Sequence, residues 1–190
     1  MVKDRSRGLR ALLKQSPLVF MLMGFLAFPA VGAMPEGATA VTGFSLERYL
    51  GTWYEIARLD HRFERGLTQV TATYSLREDG GVKVLNRGFK EKKAKWSEAT
   101  GKAYFVETPD IGRLKVSFFG PFYGAYNIIA LEPDNYSYAL VIGNSTKYMW
   151  ILAREPVLKP AVLEGLLETA RELGFATDEL IYPQKQESGN

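Results

Sequence analysis

Apolar and polar residues alternate with a period of two along most of the chain from Thr52 onward. This period is typical of β-strands whose two faces meet different surroundings. Eight runs rich in β-branched and aromatic residues follow one another at a spacing of about ten residues. They cover residues 53–59, 69–76, 82–88, 96–106, 113–119, 125–131, 137–142 and 148–154. The sequence therefore predicts an all-β fold of eight consecutive strands.

Turn-forming residues separate these runs. Asp79-Gly80-Gly81 is a hairpin turn, Gly120-Pro121 a sharp bend and Gly143-Asn144 a further turn former. Because short links join consecutive strands, we predict an antiparallel up-and-down β-barrel, whose closure removes sheet edges that could pair with other chains. The interior of an eight-stranded barrel has room for side chains or for one small ligand.

The period changes to that of a helix near the end of the chain. One apolar stripe is formed at helical spacing by Leu163, Leu166, Leu167, Ala170 and Leu173. Gly174 supplies the usual stop for this C-terminal α-helix. We expect the helix to pack its stripe on the outside of the barrel, against Met149 and Ile151. Trp150 and Leu152, which alternate with them, would then point inward.

The first 33 residues have the order of a secretory signal: a basic stretch, an apolar run and small residues up to Ala33. The apolar run is shorter than the roughly 20 residues that a spanning helix needs. We therefore predict a signal peptide at 1–33 with cleavage after Ala33, and an uncleaved membrane anchor is the alternative. A linker at 34–43, a folded domain at 44–182 and a disordered tail at 183–190 would follow.

The positive charge of the chain is concentrated in that first segment. The whole chain has a net charge of +3, but the part beyond residue 33 carries 19 basic and 20 acidic residues. A nucleic-acid partner is therefore not expected. The chain contains no cysteine, which excludes a disulfide, a thiol nucleophile, a thiolate metal site and a lipid-modified cysteine.

Three separated features agree with one known family. Gly51-Thr52-Trp53 opens the first strand, Arg154 closes the eighth, and the amphipathic helix follows. From Phe44 to Tyr182 the chain resembles the lipocalins, and closely the bacterial lipocalins related to apolipoprotein D. The densest matches are residues 49–58, 60–66 and 116–123. The second family signature reads Thr146-Lys147-Tyr148 here, with lysine where the family usually has aspartate.

The resemblance implies a role for each end of the barrel. In the family the tryptophan at Trp53 packs against the barrel floor and the arginine at Arg154 lies over it. A guanidinium on an indole face contributes about 0.5–2 kcal/mol, so we interpret Gly51, Trp53 and Arg154 as structural. The family's ligands would be fatty acids or lysophospholipids, held in the calyx.

Alternation along the strands assigns an apolar face to the barrel interior. Tyr123 and Trp150 are the strongest candidates to line a ligand pocket, with four further candidates behind them: Phe105, Val116, Phe118 and Tyr126. Each of these residues could instead simply fill the core. The loop 60–67 should lie at the open end, with Phe63 as a lid. Arg62, Arg65 and the lysines between 90 and 95 would form a basic rim that could meet a carboxylate or phosphate head, although a merely solvated loop is the alternative.

The residues available for catalysis are few. His61 is the single histidine and lies on a polar loop, where we expect it to be exposed or to cap the chain. A metal site built on several histidines or cysteines is excluded, and no Gly-x-Ser-x-Gly motif is present. Glu55 shares the parity of Trp53 and should point inward, with a raised pKa if buried. We expect it to bond a neighbouring tyrosine or a ligand head.

The sequence therefore favours a non-enzymatic protein that binds, stores or transports a small amphiphilic lipid in the cell envelope. An envelope enzyme that modifies a lipid or carotenoid in the same calyx is the alternative, and a filled barrel with a structural role is a third. We expect no cofactor. The protein would be exported, periplasmic or associated peripherally with the outer membrane, and a homodimer is left open.

Overall fold

The computed structural model describes residues 34–184. Its strands and helices, in chain order, are α1 Leu46–Tyr49, β1 Gly51–Arg58, β2 Leu67–Leu76, β3 Val82–Lys90, β4 Lys95–Phe105, β5 Arg113–Phe119, β6 Phe122–Leu131, β7 Tyr138–Ile142, β8 Met149–Ala153 and α2 Pro160–Glu172. Short 3₁₀ turns lie at Glu91–Lys93 and Thr177–Glu179. The predicted strands are all present, with bounds within three residues of those observed.

The eight strands form a closed antiparallel barrel. Each strand pairs with the next in sequence, and β8 returns to pair with β1. The predicted up-and-down barrel is therefore confirmed. Consecutive loops along the chain therefore lie alternately at the two rims of the barrel. The loops 59–66, 91–94, 120–121 and 143–148 share one rim, and α1 lies at the other.

The C-terminal helix packs outside the barrel as predicted. Leu166, Leu167 and Ala170 of α2 are buried, and they join a core that includes Met149 and Ile151 of β8. Full burial of a leucine or isoleucine side chain contributes roughly 1.5–3 kcal/mol, so this outer core holds the helix firmly to the sheet. A second core fills the barrel interior around Trp53. Beyond α2, Gly174 has a φ of +79°, which ends the helix.

A β-bulge interrupts β1. Glu55 lies opposite Leu152 and Ala57 opposite Ile151, so Ile56 is the extra residue between them. Both Ile56 and Ala57 therefore face the outer core. In a strand without the bulge, alternation from Trp53 would point the side chain of Arg58 outward. The extra residue reverses the inward and outward positions that follow it, so Arg58 lies opposite the inward Trp150.

Residues on both sides of the predicted domain 44–182 also bond to the barrel. In the expected linker, the N–H of Val41 donates to the carbonyl oxygen of Ile128 at 2.9 Å, and Thr42 forms a bridge with Ile111. Residues 40–43 thus cross the rim that carries α1. The predicted signal peptide at 1–33 lies outside the described residues.

The chain is also ordered beyond the boundary at residue 182. Pro183 is fully buried, and its carbonyl accepts from the N–H of Gln69 at 2.6 Å. The amide of Gln184 donates to the carbonyls of Glu55 at 3.1 Å and Val70 at 2.8 Å. These backbone groups lie at the bulges of β1 and β2, where the ladder is interrupted. The prediction of disorder from residue 183 is wrong for these two residues, because the bulges leave groups that they satisfy; 185–190 lie outside the described range.

Within residues 34–184, no helix has the length and apolar character needed to cross a bilayer.

Candidate functional site

A cavity of about 530 Å³ occupies the barrel interior and opens at the rim of the loop 59–66. Its volume lies in the range typical of small-molecule pockets. The inward residues predicted by alternation line it on several strands: Val70, Ala72, Tyr74, Val82, Val84, Leu114, Val116, Trp150 and Leu152. A filled barrel is therefore not what the chain forms.

Strand β4 explains why the interior has room. Its inward positions along the middle of the strand, set by pairing with Val84 and Asn86 of β3, carry small residues: Ser97, Ala99, Gly101 and Ala103. A Cβ added at Gly101 would lie 2.9 Å from the ring of Phe118. The glycine therefore lets that ring lie against β4, and the small side chains beside it leave the space of the cavity unfilled.

Seven of the eight predicted pocket residues line this cavity. They are Glu55, Phe63, Val116, Phe118, Tyr123, Tyr126 and Trp150. Phe105 does not, and its prediction as a lining residue is wrong. It ends β4 at the far rim, where its ring packs edge-on to Phe44 at 6.1 Å between centroids. Phe105 has inward parity but lies beyond the cavity floor.

Three tyrosine hydroxyls meet on the cavity wall above the floor. The hydroxyl of Tyr126 lies 2.8 Å from that of Tyr49 and 2.7 Å from that of Tyr74. Burial raises the pKa of Tyr126 well above its usual value, and the neighbouring Tyr49 and Tyr74 raise it further. The trio therefore stays neutral and largely satisfies its own hydrogen bonds, so this deep region offers a ligand no charge.

The barrel floor is closed by an aromatic ring and a guanidinium. The indole N–H of the fully buried Trp53 donates to the carbonyl of Tyr49 at 2.8 Å. The guanidinium carbon of Arg154 lies 4.0 Å from the centre of the Trp53 rings. Gly51 has a φ of +94°, and a Cβ there would lie 3.4 Å from Arg154 Nη1. The structure thus brings Gly51, Trp53 and Arg154 together at the closed end of the barrel.

The wall near the mouth carries a buried ion pair. Arg58 is 1% exposed, and its Nη1 donates to Glu55 Oε1 at 2.6 Å. Its Nη2 donates to the carbonyl of Glu64 at 2.9 Å, which ties the loop to the barrel. The side-chain partner of Glu55 is therefore Arg58 and not the tyrosine that the sequence predicts. The bulge at Ile56 is the cause, because it turns Arg58 inward.

Glu64 is the second buried carboxylate of this wall. Its Oε2 lies 3.0 Å from His61 Nε2 and accepts from the indole N–H of Trp150 at 3.2 Å. Its Oε1 accepts from the amide of Asn86 at 3.4 Å. Burial by itself would raise the pKa of Glu64, but the bonds from His61 and Trp150 and the charge of Arg58 outweigh it and lower the pKa.

The pKa values of the two carboxylates are shifted in opposite directions. Burial raises the pKa of Glu55 well above its usual value, the negative charge of Glu64 raises it further, and Arg58 opposes both. Glu64 is therefore the more firmly ionised of the two. We name Glu55, Arg58, His61 and Glu64 the mouth cluster.

His61 lies in the mouth cluster and not in solvent. It is only 9% exposed, and its ring centre lies 5.3 Å from that of Trp150. The expectation of an exposed or capping histidine is wrong, because Glu64 draws the ring inward. Sequence reasoning also missed Arg58 and Glu64. The spacing His61-x-x-Glu64 beside a strand end was the available signal, but the parity of Arg58 required the bulge.

Comparisons with known proteins agree with this architecture. The family model described as a lipocalin-like domain matches residues 44–185. The outer membrane lipoprotein Blc of Vibrio cholerae is 51% identical over 168 residues, which cover 88% of this chain and 98% of the relative. Apolipoprotein D of Rattus norvegicus is 36% identical, covering 65% of this chain and 67% of that one. Insecticyanin from the tobacco hornworm Manduca sexta is 22% identical, with a TM-score of 0.63 over 83% of this chain and 89% of that one.

Proposed function

The chain belongs to the lipocalin family, and we propose that it binds and carries small amphiphilic lipids, of the fatty acid or lysophospholipid class, in the cell envelope. The observation that carries this proposal is the cavity, which is apolar in depth and open at one end. A tail that enters it leaves water at a gain of about 0.8 kcal/mol per buried methylene group. The envelope relatives named as outer membrane lipoproteins support the compartment.

The polar groups of the cavity favour one orientation of the ligand. The charges of Glu55 and Arg58 compensate each other, and Glu64 is already occupied by His61 and Trp150. A fatty acid carboxylate that passed the mouth would meet the two carboxylates of the mouth cluster and none of its cations free, and deeper in the barrel it would meet only the uncharged tyrosine trio. The head is therefore expected at the rim, near Arg62 and Lys90, with the tail pointing to the tyrosine trio.

The proposal places the mature protein outside the cytoplasm. The basic, apolar and small-residue order of residues 1–33 supports export, and the relative from Vibrio cholerae, an outer membrane lipoprotein, supports the outer membrane. No residue of the 190 is a cysteine, so any association with that membrane would use something other than a lipid-modified cysteine. The role is that of a carrier without turnover.

A fluorescent fatty acid titrated into the purified protein tests this function. We expect saturable binding at micromolar concentration, with quenching of tryptophan emission. Trp150→Ala and Tyr123→Ala should weaken binding about tenfold, which corresponds to roughly 1.4 kcal/mol. Trp96→Ala is the matched control, since Trp96 lies on the outside of β4 against Phe89 and away from the cavity lining.

Two results would contradict the proposal. One is the absence of saturable binding for any amphiphile at micromolar concentration. The other is an equal loss of affinity in Trp96→Ala and Trp150→Ala, which would place the probe on the surface. Mass spectrometry of lipids that remain bound through purification identifies the head group, and a lysophospholipid or fatty acid is the expected result.

A further inference from the structure

Three large aromatic side chains are exposed together at the open rim. Phe63 is 61% exposed, Phe119 69% and Phe122 79%. Phe63 lies in the loop 59–66, and Phe119 and Phe122 flank the β5–β6 turn. Together with Arg62 they enclose one shallow surface depression beside the cavity mouth. Single exposed apolar residues are ordinary, but a contiguous patch rimmed by polar groups marks an interaction surface. We name these three residues the rim phenylalanines.

The same rim is rich in positive charge. The β3–β4 connection carries Lys92 and Lys93, and Lys90 and Lys95 flank it, with Glu91 as the one acidic residue among them. Lys92, Lys93 and Lys95 are exposed. The chain beyond residue 33 carries 19 basic and 20 acidic residues, so this concentration is local and not a property of the whole surface. We name these four residues the rim lysines.

Taking the proposed lipid-binding function as given, we propose that the open rim docks on a bilayer containing anionic phospholipids. The rim phenylalanines enter the boundary between head groups and acyl chains, and the rim lysines contact the phosphates. Aromatic side chains with adjacent basic residues are the combination that binds such interfaces. The cavity mouth then faces the membrane, which lets a lipid tail pass between bilayer and barrel with little exposure to water.

Charge complementarity selects the bilayer over a second copy of this chain. A symmetric pair joined at this rim would place the same patch on both partners. The rim lysines of the two copies would then lie near one another, which costs free energy. An anionic surface instead attracts them, at a strength that falls as salt rises.

Flotation with vesicles tests the proposal. Protein purified from the envelope of the expressing bacterium is mixed with vesicles of phosphatidylcholine alone or of phosphatidylcholine with one quarter phosphatidylglycerol. We expect at least tenfold stronger binding to the anionic vesicles. The double variant Phe119→Ser/Phe122→Ser should lose at least tenfold of that binding, whereas Val157→Ser should not. Val157 is the matched control because it is 77% exposed and follows β8 at the opposite end.

A charge-reversal pair separates docking from lipid binding. Lys92→Glu/Lys93→Glu should weaken binding to anionic vesicles at least tenfold and leave the solution affinity for an uncharged fluorescent lipid, such as a labelled monoacylglycerol, unchanged, since neither lysine lines the cavity. Lys83→Glu/Lys159→Glu is the matched control, because it makes the same charge change at exposed positions of the closed end. It should leave both the vesicle binding and the affinity for the lipid probe unchanged.

Other outcomes would overturn the docking inference. Equal vesicle binding by the wild type and both rim variants would do so, as would no binding to anionic vesicles. A dimer in size-exclusion chromatography that Phe119→Ser/Phe122→Ser abolishes would assign the patch to a second copy. If vesicle binding fails while fatty acid binding persists, only this inference falls. Loss of fatty acid binding in the wild type overturns the carrier function itself.

Discussion

The two ends of the barrel differ in the kinds of contact that their side chains make. At the closed end Arg154 lies over the ring of Trp53 and donates to the carbonyls of Thr52 at 3.0 Å and Arg48 at 2.8 Å. At the open end Glu55 and Arg58 form a buried ion pair, and Phe63 stands exposed. The closed end has the contacts that a stable core needs. The open end holds charges and apolar surface where stability alone would not place them.

The buried ion pair of Glu55 and Arg58 is the feature that most clearly distinguishes the open end from the closed end. Taking two charges out of water costs several kcal/mol for each ion, and replacing a buried pair with apolar residues is often neutral or stabilising. The Arg58 guanidinium also holds the carbonyl of Glu64 and so fixes the loop 59–66 over the mouth. We infer that the mouth cluster positions this loop, while Trp53 and Arg154 keep the barrel closed.

Trp53→Ala should produce the largest loss of stability at the closed end. Trp53 is fully buried and its indole N–H bonds to Tyr49. Deleting a buried tryptophan side chain costs about 3–5 kcal/mol, which urea denaturation would measure as a lower midpoint. Ligand affinity per folded molecule should change little, because Trp53 does not line the cavity.

Trp150→Ala is the counterpart at the open end. It should reduce affinity more and stability less than Trp53→Ala, since Trp150 is only partly buried and lines the cavity. Equal stability losses in the two variants, with equal effects on binding, would contradict the assignment of stability to the closed end and of ligand binding to the open end.

Most of the fold could be predicted from alternation, but parts of the site could not. The period of two placed Val116, Trp150 and their inward neighbours correctly because regular pleating repeats every second residue. The bulge at Ile56 is a single inserted residue with no distinct signal in the sequence, so the inward turn of Arg58 was missed. Parity also says nothing of depth along the axis, which is why Phe105 was assigned to the cavity.

Removal of Arg58 alone tests whether the ion pair serves the loop or the core. Arg58→Met should destabilise the protein by about 3 kcal/mol, the low end for orphaning a buried charge. The low end applies because the pKa of Glu55 is already raised by burial and by Glu64, so the orphaned carboxyl can take up a proton. The double variant Glu55→Leu/Arg58→Met should recover most of this stability in chemical denaturation.

The double variant should nevertheless leave the loop 59–66 less ordered, because the bond from Arg58 to the carbonyl of Glu64 is lost with the guanidinium. Hydrogen exchange at the amides of this loop would measure the change, with those of β2 as an internal reference. A double variant that recovers stability and keeps the loop fully protected would refute the positioning role. One that stays as unstable as Arg58→Met would make the pair part of the core after all.

Glu64→Gln should have the smallest effect, and one that depends on pH. The folded pKa of Glu64 lies below its ordinary value near 4.5, so the native protein binds this proton less readily than the unfolded chain. Its contribution is therefore complete above pH 4.5 and is lost as the pH falls through the lowered folded value. At pH 7 we expect a loss of about 1.5–3 kcal/mol, the contribution of hydrogen bonds to a charged group.

The difference between wild type and Glu64→Gln should shrink as the pH is lowered from 4.5, because the protonated wild-type carboxyl comes to resemble the amide. Glu55 titrates above this window, since its pKa is raised, and the exposed carboxylates with lowered pKa values, such as Asp79, are common to both proteins. Urea denaturation of the pair at pH 7, 4.5 and 3 isolates the Glu64 contribution. A difference that stays constant across this range would mean that Glu64 holds the loop as a neutral group, and the open end would then be less dependent on charge than its geometry indicates.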